Sequence, residues 1–135
     1  MKAFTAYLNF DGNTREAMEF YTKCLDAELT VQTFGEANAP FPGSEHLVMH
    51  ARLAKGDAVI MASDPMPGMP VVVGNNVWIT QECETVDELE RAFAAFSEGG
   101  TVVMPVANQF WGARFGMLTD KYGVNWMFNC YLPKE

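Results

Sequence analysis

His46 and His50 are the only imidazoles in the chain. Imidazole is the side chain that ordinarily exchanges a proton near neutral pH, which makes His50 the leading candidate acid or base. A strand histidine satisfied by a neighbour is the competing reading. Asp64 can orient that imidazole or can simply cap the turn of Ser63-Asp64-Pro65. Trp111 and Arg114 follow Gln109-Phe110 and together could clamp a flat or anionic ligand, the indole by stacking and the guanidinium by paired donors. Trp111 suits the centre of a dimer interface equally well. The two histidines fall in a run where His46, Val48 and His50 alternate with Leu47, Met49 and Ala51, the period of a strand. Four residues along a strand span ~13 Å, too far for one ion. Neither G-x-S-x-G nor a P-loop occurs, and the three cysteines, Cys24, Cys83 and Cys130, form no C-x-x-C pair.

The elements that must position these groups are written twice. Phe4, Ala6, Leu8 and Phe10 alternate with polar residues, so Phe4 to Phe10 reads as a strand. Asp11-Gly12-Asn13 turns the chain, and Asn13 is the expected N-cap of a helix with Glu16 as its capping-box partner. Ala17, Phe20, Tyr21 and Cys24 form that helix's apolar stripe, and the helix should end near Leu25 to Ala27. Glu28 to Phe34 reads as a strand. His46 to Leu53 and Ala58 to Ala62 read as a hairpin around Lys55-Gly56-Asp57. Then Asn76 to Cys83 repeats the strand, and Thr85 with Glu88 repeats the cap. Leu89, Ala92, Phe93 and Phe96 repeat the stripe, and Gly99-Gly100 closes the helix. Thr101 to Val106, Arg114 to Thr119 and Asn125 to Tyr131 complete the second copy, with a turn at Lys121-Tyr122-Gly123. Between the copies Pro65, Pro67 and Pro70 exclude regular structure.

An α+β fold of two tandem βαβββ modules forming a curved mixed sheet is therefore expected. Residues 1–135 should make a single domain, with modules 1–64 and 75–135 joined by a linker over 65–74. A chain of 135 residues, 49% hydrophobic and 19% charged, can bury a core without a disulfide or structural metal. The formal net charge of -8 disfavours nucleic acid and anionic membrane surfaces as partners. No apolar run approaches the ~20 residues of a membrane span, and the N-terminus has no signal-peptide pattern. With unpaired cysteines as well, a cytoplasmic location is expected.

Tyr7-Leu8-Asn9-Phe10-Asp11-Gly12-Asn13, Phe20-Tyr21, Met49-His50-Ala51, Ser63-Asp64 and the stretch from Phe110 to Cys130 resemble the PhnB-like branch of the vicinal oxygen chelate superfamily. That superfamily includes glyoxalase I, bleomycin- and fosfomycin-resistance proteins and extradiol dioxygenases. Members of the branch are also labelled demethylubiquinone methyltransferases, but no glycine-rich strand–helix turn for a nucleotide-like cofactor is present. In metal-using relatives each module supplies one ligand from its first strand and one from its last. The resemblance maps these positions to Thr5 or Ala6, Ile60 or Met61, Trp78 and Met127. None is His, Asp or Glu, so the resemblance implies a lost metal site, and no metal and no cofactor are expected.

Carried onto the same strand faces, the resemblance implies a cleft between the modules walled by Met61, Trp78 and Met127. Tyr7, Asn9 and Asn129 would orient a ligand there, with Asp64, Trp111 and Arg114 as further ligand-binding candidates and His50 as the catalytic one. The first expectation is a metal-free protein that binds a small, partly aromatic or anionic molecule as a homodimer. The alternatives are a lyase or isomerase using His50 as acid or base, and a divalent-metal-dependent glyoxalase-like enzyme.

Overall fold

Alternating and helical periods succeed one another twice along the chain, and the computed structural model, which describes residues 1–134, follows them. The elements are β1 (Tyr7–Asn9), α1 (Thr14–Leu25), β2 (Glu28–Thr33), β3 (Val48–Lys55), β4 (Ala58–Ser63), β5 (Ile79–Glu82), α2 (Val86–Ser97), β6 (Thr101–Asn108), β7 (Ala113–Thr119) and β8 (Asn125–Tyr131). They form two βαβββ modules of α+β type. The chain divides into two compact units, Met1–Val72 and the residues from Val73 onward.

In the first unit the strand order is β1-β4-β3-β2, with β1 and β4 parallel and the other pairs antiparallel. The helix carries the chain away from β1, a three-strand meander returns it, and the last strand of the meander comes to lie beside the first. Partners in register share a face. Leu8 and Ala62, Leu53 and Ile60, Leu29 and Leu53, and Val31 and Ala51 therefore look towards α1. Ala17, Met18 and Tyr21 of α1 are buried there with Ala51, Leu53 and Ala62. The opposite face holds Tyr7, Asn9, Thr30, Gln32, His50, Arg52, Met61 and Ser63.

The second unit repeats this with β5-β8-β7-β6. Trp126 and Phe128 of β8 are fully buried and meet Phe96 of α2 edge-to-face, with centroids 4.9 and 5.6 Å apart. Phe93 packs on Phe128 at 5.3 Å. It can do so because β7 carries glycine at 116, where a Cβ would lie 2.8 Å from both Phe93 and Val106.

Several boundaries differ from the sequence expectation, most of them by one or two residues. The first strand begins at Tyr7, and Phe4 is 93% exposed, because β1 has register partners only over Tyr7–Asn9. The second module's first strand begins at Ile79 rather than Asn76. His46 lies outside β3, which starts at Val48, whereas β6 runs on past a bulge and Pro105 to Asn108. Asn13 occupies the N-cap position of α1 but makes no side-chain cap. Asp64 replaces it from across the unit: its Oδ1 accepts from the Thr14 amide at 3.2 Å and the Thr14 hydroxyl at 2.7 Å. The expected cap of α2 does form, with the Thr85 hydroxyl accepting from the Glu88 amide at 3.1 Å.

Candidate functional site

The open face of each sheet, turned away from its helix, collects most of the expected site residues. On the first sheet Tyr7, Met61, Arg52 and Thr30 stand in one cross-strand row. One step along, Asn9 pairs with Ser63 and His50 with Gln32. The Tyr7 hydroxyl crosses to His50 Nδ1 at 3.0 Å, with the ring centroids 5.7 Å apart. Ser63 donates to Asn9 Oδ1 at 3.4 Å. His50 is thus both on the open face and satisfied by a neighbour. Tyr7, Asn9, His50 and Met61 come together on this face.

Asp64 does not join them. It is 3% exposed, and its second oxygen accepts from the Val48 amide at 2.8 Å. Its carboxylate is consumed in tying the start of α1 to the start of β3, so it is not available to a ligand or to His50. Burial beside three donors is the physical reason.

On the second sheet two rows lie side by side. Thr80, Met127, Met117 and Met104 form one, from β5 across β8 and β7 to β6. Glu82, Asn129 and Phe115 form the other. Asn129 is 5% exposed and spends its amide on its neighbours. Its Nδ2 donates to the Glu82 carboxylate at 3.1 and 3.3 Å, and its Oδ1 lies 3.5 Å from Trp111 Nε1. Trp111 comes from the β6–β7 turn and meets Phe115 edge-to-face at 5.3 Å, so its indole roofs this row while remaining 42% exposed. Phe110 beside it is almost fully exposed. Trp78 precedes β5, is half-buried, and spends its indole N–H on the Asn75 carbonyl at 2.9 Å. Asn125 is buried and pins residues 74–77 to β8 by donating to the carbonyls of Gly74 and Val77.

Arg114 corrects the proposed clamp. Strand parity pairs it with Cys130 and Asn108 on the helix side of β7. There its Nε holds Glu90 of α2 at 2.6 Å, and an Nη holds Asn108 Oδ1 at 3.0 Å. Trp111 folds to the opposite face, so the two do not converge.

Register also sorts the alternatives for the ancestral ligand positions. Ile60 pairs with Leu53 on the helix side, which leaves Met61 for the open face. A thioether at Met61, another at Met127, an indole at Trp78 and at most a hydroxyl at Thr5 do not suit a hard divalent cation. Among the described residues no group of three or more His, Cys, Asp and Glu could hold a metal ion. Cys83 is a poor nucleophile: burial, reinforced by Glu88, Cys130 and Glu82, pushes its thiol up to about 12.

Sequence reasoning passed over Arg52, Ser63, Glu82, Phe115, Met104 and Met117. Arg52 was within reach, because it is the next same-face residue after His50. Glu82 likewise follows Trp78 and Thr80 in alternation. The two extra methionines depend on the registers of β6 and β7, which bulges shift.

The model of the 3-demethylubiquinone-9 3-methyltransferase family matches residues 2–128. Protein YjdN of Escherichia coli K12 is 33% identical over 137 residues, covering 91% of each chain. Protein PA1353 from Pseudomonas aeruginosa superposes with a TM-score of 0.90 at 39% identity, over 98% of this chain and all of that one. A putative 3-demethylubiquinone-9 3-methyltransferase, PhnB protein, from Bacillus cereus gives 0.79 at 29%, over 96% and 99% of the two chains. A glyoxalase/bleomycin resistance protein/dioxygenase family enzyme from Burkholderia phytofirmans, 14% identical, shares the fold alone, with a TM-score of 0.67 over 96% of this chain and all of that one.

Proposed function

The chain belongs to the PhnB-like family described as 3-demethylubiquinone-9 3-methyltransferase, and from that premise we propose that it binds a small, partly aromatic molecule without a resident metal. The ligand lies on the open face of the second sheet. One observation carries this reading: the Thr80–Met127–Met117–Met104 row runs beside Glu82–Asn129–Phe115 under a half-exposed Trp111. Unbranched thioethers adapt to the outline of a flat ring, and sulfur favours contact with it. Trp111 adds a stacking surface, and the Glu82 carboxylate supplies the polar group that fixes orientation. Because Asn129 is bonded at both ends, it acts by holding Trp111 and Glu82 in place rather than by touching the ligand.

Methyl transfer from a nucleotide-like cofactor fits these residues poorly. Asp11-Gly12-Asn13 is no glycine-rich cradle, and the N-terminus of α1 is already filled by the Asp64 carboxylate. Phe110, almost fully exposed, is where we place a homodimer contact.

The test is a nuclear magnetic resonance titration with indole as the aromatic probe. The Trp111 Nε1–H and the Met104, Met117 and Met127 methyl resonances should shift saturably, and Trp111→Ala should weaken binding at least tenfold. Shifts spread evenly over the surface, or an unchanged affinity in Trp111→Ala, would refute the site. A second reading, acid–base chemistry at His50, draws on the Tyr7 hydrogen bond. It requires His50→Gln to abolish turnover of a substrate while affinity stays within about tenfold, or about 1.4 kcal/mol.

A further inference from the structure

We propose that the open face of the first sheet carries a separate subsite for an oxyanion, a carboxylate or phosphoryl group, built from Arg52 and His50 and oriented by Tyr7. The subsite stands on first-unit residues alone, whatever the second sheet binds. Acidic residues outnumber basic ones 17 to 9 in this chain, so a guanidinium should find a carboxylate easily. Arg91 and Arg114 do, in Asp87 and Glu90, and exposed Arg15 on α1 does not. Arg52 does not: among the described residues it forms no ion pair, although it is exposed. The one carboxylate on this face of the strands, Glu28, is in register with Ala54, diagonal to Arg52, and no ion pair joins the two. Its same-face neighbours in the row are Thr30, Met61 and Tyr7, none of which can neutralise it.

The Tyr7–His50 hydrogen bond then sets what His50 presents. A phenol is a strong donor and a weak acceptor, whereas a neutral imidazole nitrogen is a strong acceptor, so Tyr7 O–H donates to Nδ1. The ring proton is thereby left on Nε2, and His50 offers an N–H donor. Arg52 and His50 are two apart on β3 and point the same way, with Cα atoms about 6.8 Å apart. That spacing lets one oxyanion lie between the guanidinium fork and the imidazole N–H. Arg matches both planar and tetrahedral oxyanions through paired donors. Thr30, Gln32, Asn9 and Ser63 around the pair bear no charge, and Ser63 donates its hydroxyl to Asn9 Oδ1.

The experiment uses the intact protein labelled with nitrogen-15, and two histidines make its imidazole spectrum simple. Chloride is replaced at constant ionic strength by acetate or by inorganic phosphate. The expected result is an Nε2–H tautomer at His50 before any anion is added. A saturable shift of His50 Nε2 and Arg52 Nε should follow with at least one anion, and His46 should not move. Which anion binds distinguishes a carboxylate from a phosphoryl ligand. Arg52→Gln should weaken binding at least tenfold, and Arg15→Gln on α1 should leave it unchanged. Tyr7→Phe should release the tautomer and weaken binding severalfold, while the backbone amide spectrum of each variant reports the fold. The proposal is overturned by a protonated Nδ1 in the wild type, by no saturable response to either anion, or by equal affinity in Arg52→Gln.

Discussion

Replacing Asp64 by Ala should destabilise the first unit by about 3–5 kcal/mol, and the number comes from three hydrogen bonds. The Thr14 amide, the Thr14 hydroxyl and the Val48 amide all end on this one buried carboxylate. A bond to a charged group is worth about 1.5–3 kcal/mol, and a stranded buried donor costs about 1–3 kcal/mol. Water entering the space left by the carboxylate recovers part of that loss. Single substitutions above about 4–5 kcal/mol are also exceptional, which sets the upper end. Asp64→Asn keeps one acceptor oxygen but turns an NH2 towards a donor, for about 1–3 kcal/mol. The assay is urea denaturation followed by far-UV circular dichroism, because Trp78, Trp111 and Trp126 all belong to the second unit and fluorescence would miss the first. A melting temperature lower by roughly 10–15 °C should accompany the alanine change. An Asp64→Ala protein within about 1 kcal/mol of wild type would refute the capping account and return Asp64 to the ligand candidates.

Packing and titration set four further expectations. Phe96→Ala should cost about 3–5 kcal/mol in thermal or chemical denaturation, since the ring is fully buried against Trp126 and Phe128. Gly100→Ala should cost about 1–3 kcal/mol by the same measurement, because a Cβ there would lie 2.4 Å from the Thr119 carbonyl oxygen and 3.0 Å from the Asp120 Cα, backbone that cannot swing aside. Cys83 should resist iodoacetamide in the folded protein near pH 8, since its thiol is pushed up to about 12 from an ordinary value of 9.0. The folded state keeps that proton while the unfolded chain loses it. Stability should therefore be intact below about pH 9 and fall as pH rises towards 12, less so in Cys83→Ser.

The duplicated βαβββ order was legible because each element carries its own period and turn. Asn125–Tyr131 is bounded by a hairpin turn before it, and the Thr85–Glu88 cap is local to four residues. What could not be read locally depends on long-range partners. Asn13 loses its cap to a residue 51 positions further on, and no pattern near Asn13 announces Asp64. Arg114 illustrates the other limit. Trp111 and Arg114 are close in sequence, yet strand parity sends the guanidinium to the helix side and the turn folds the indole to the other. Alternation along short strands, once anchored by the family resemblance, assigns Tyr7, Asn9 and Met61 to one face, whereas His50 joins them only through the register of β3. The methionine row required a register that two bulges in β6 displace.

Under the proposed function, the open face of the second sheet holds a small partly aromatic molecule with no metal at the ancestral positions. Native mass spectrometry of protein purified without chelator or imidazole tests it most directly. The expected spectrum shows a non-covalent organic adduct, absent from Trp111→Ala and unaffected by added chelator. A protein carrying one or two divalent ions, with the adduct lost on chelation, would contradict it.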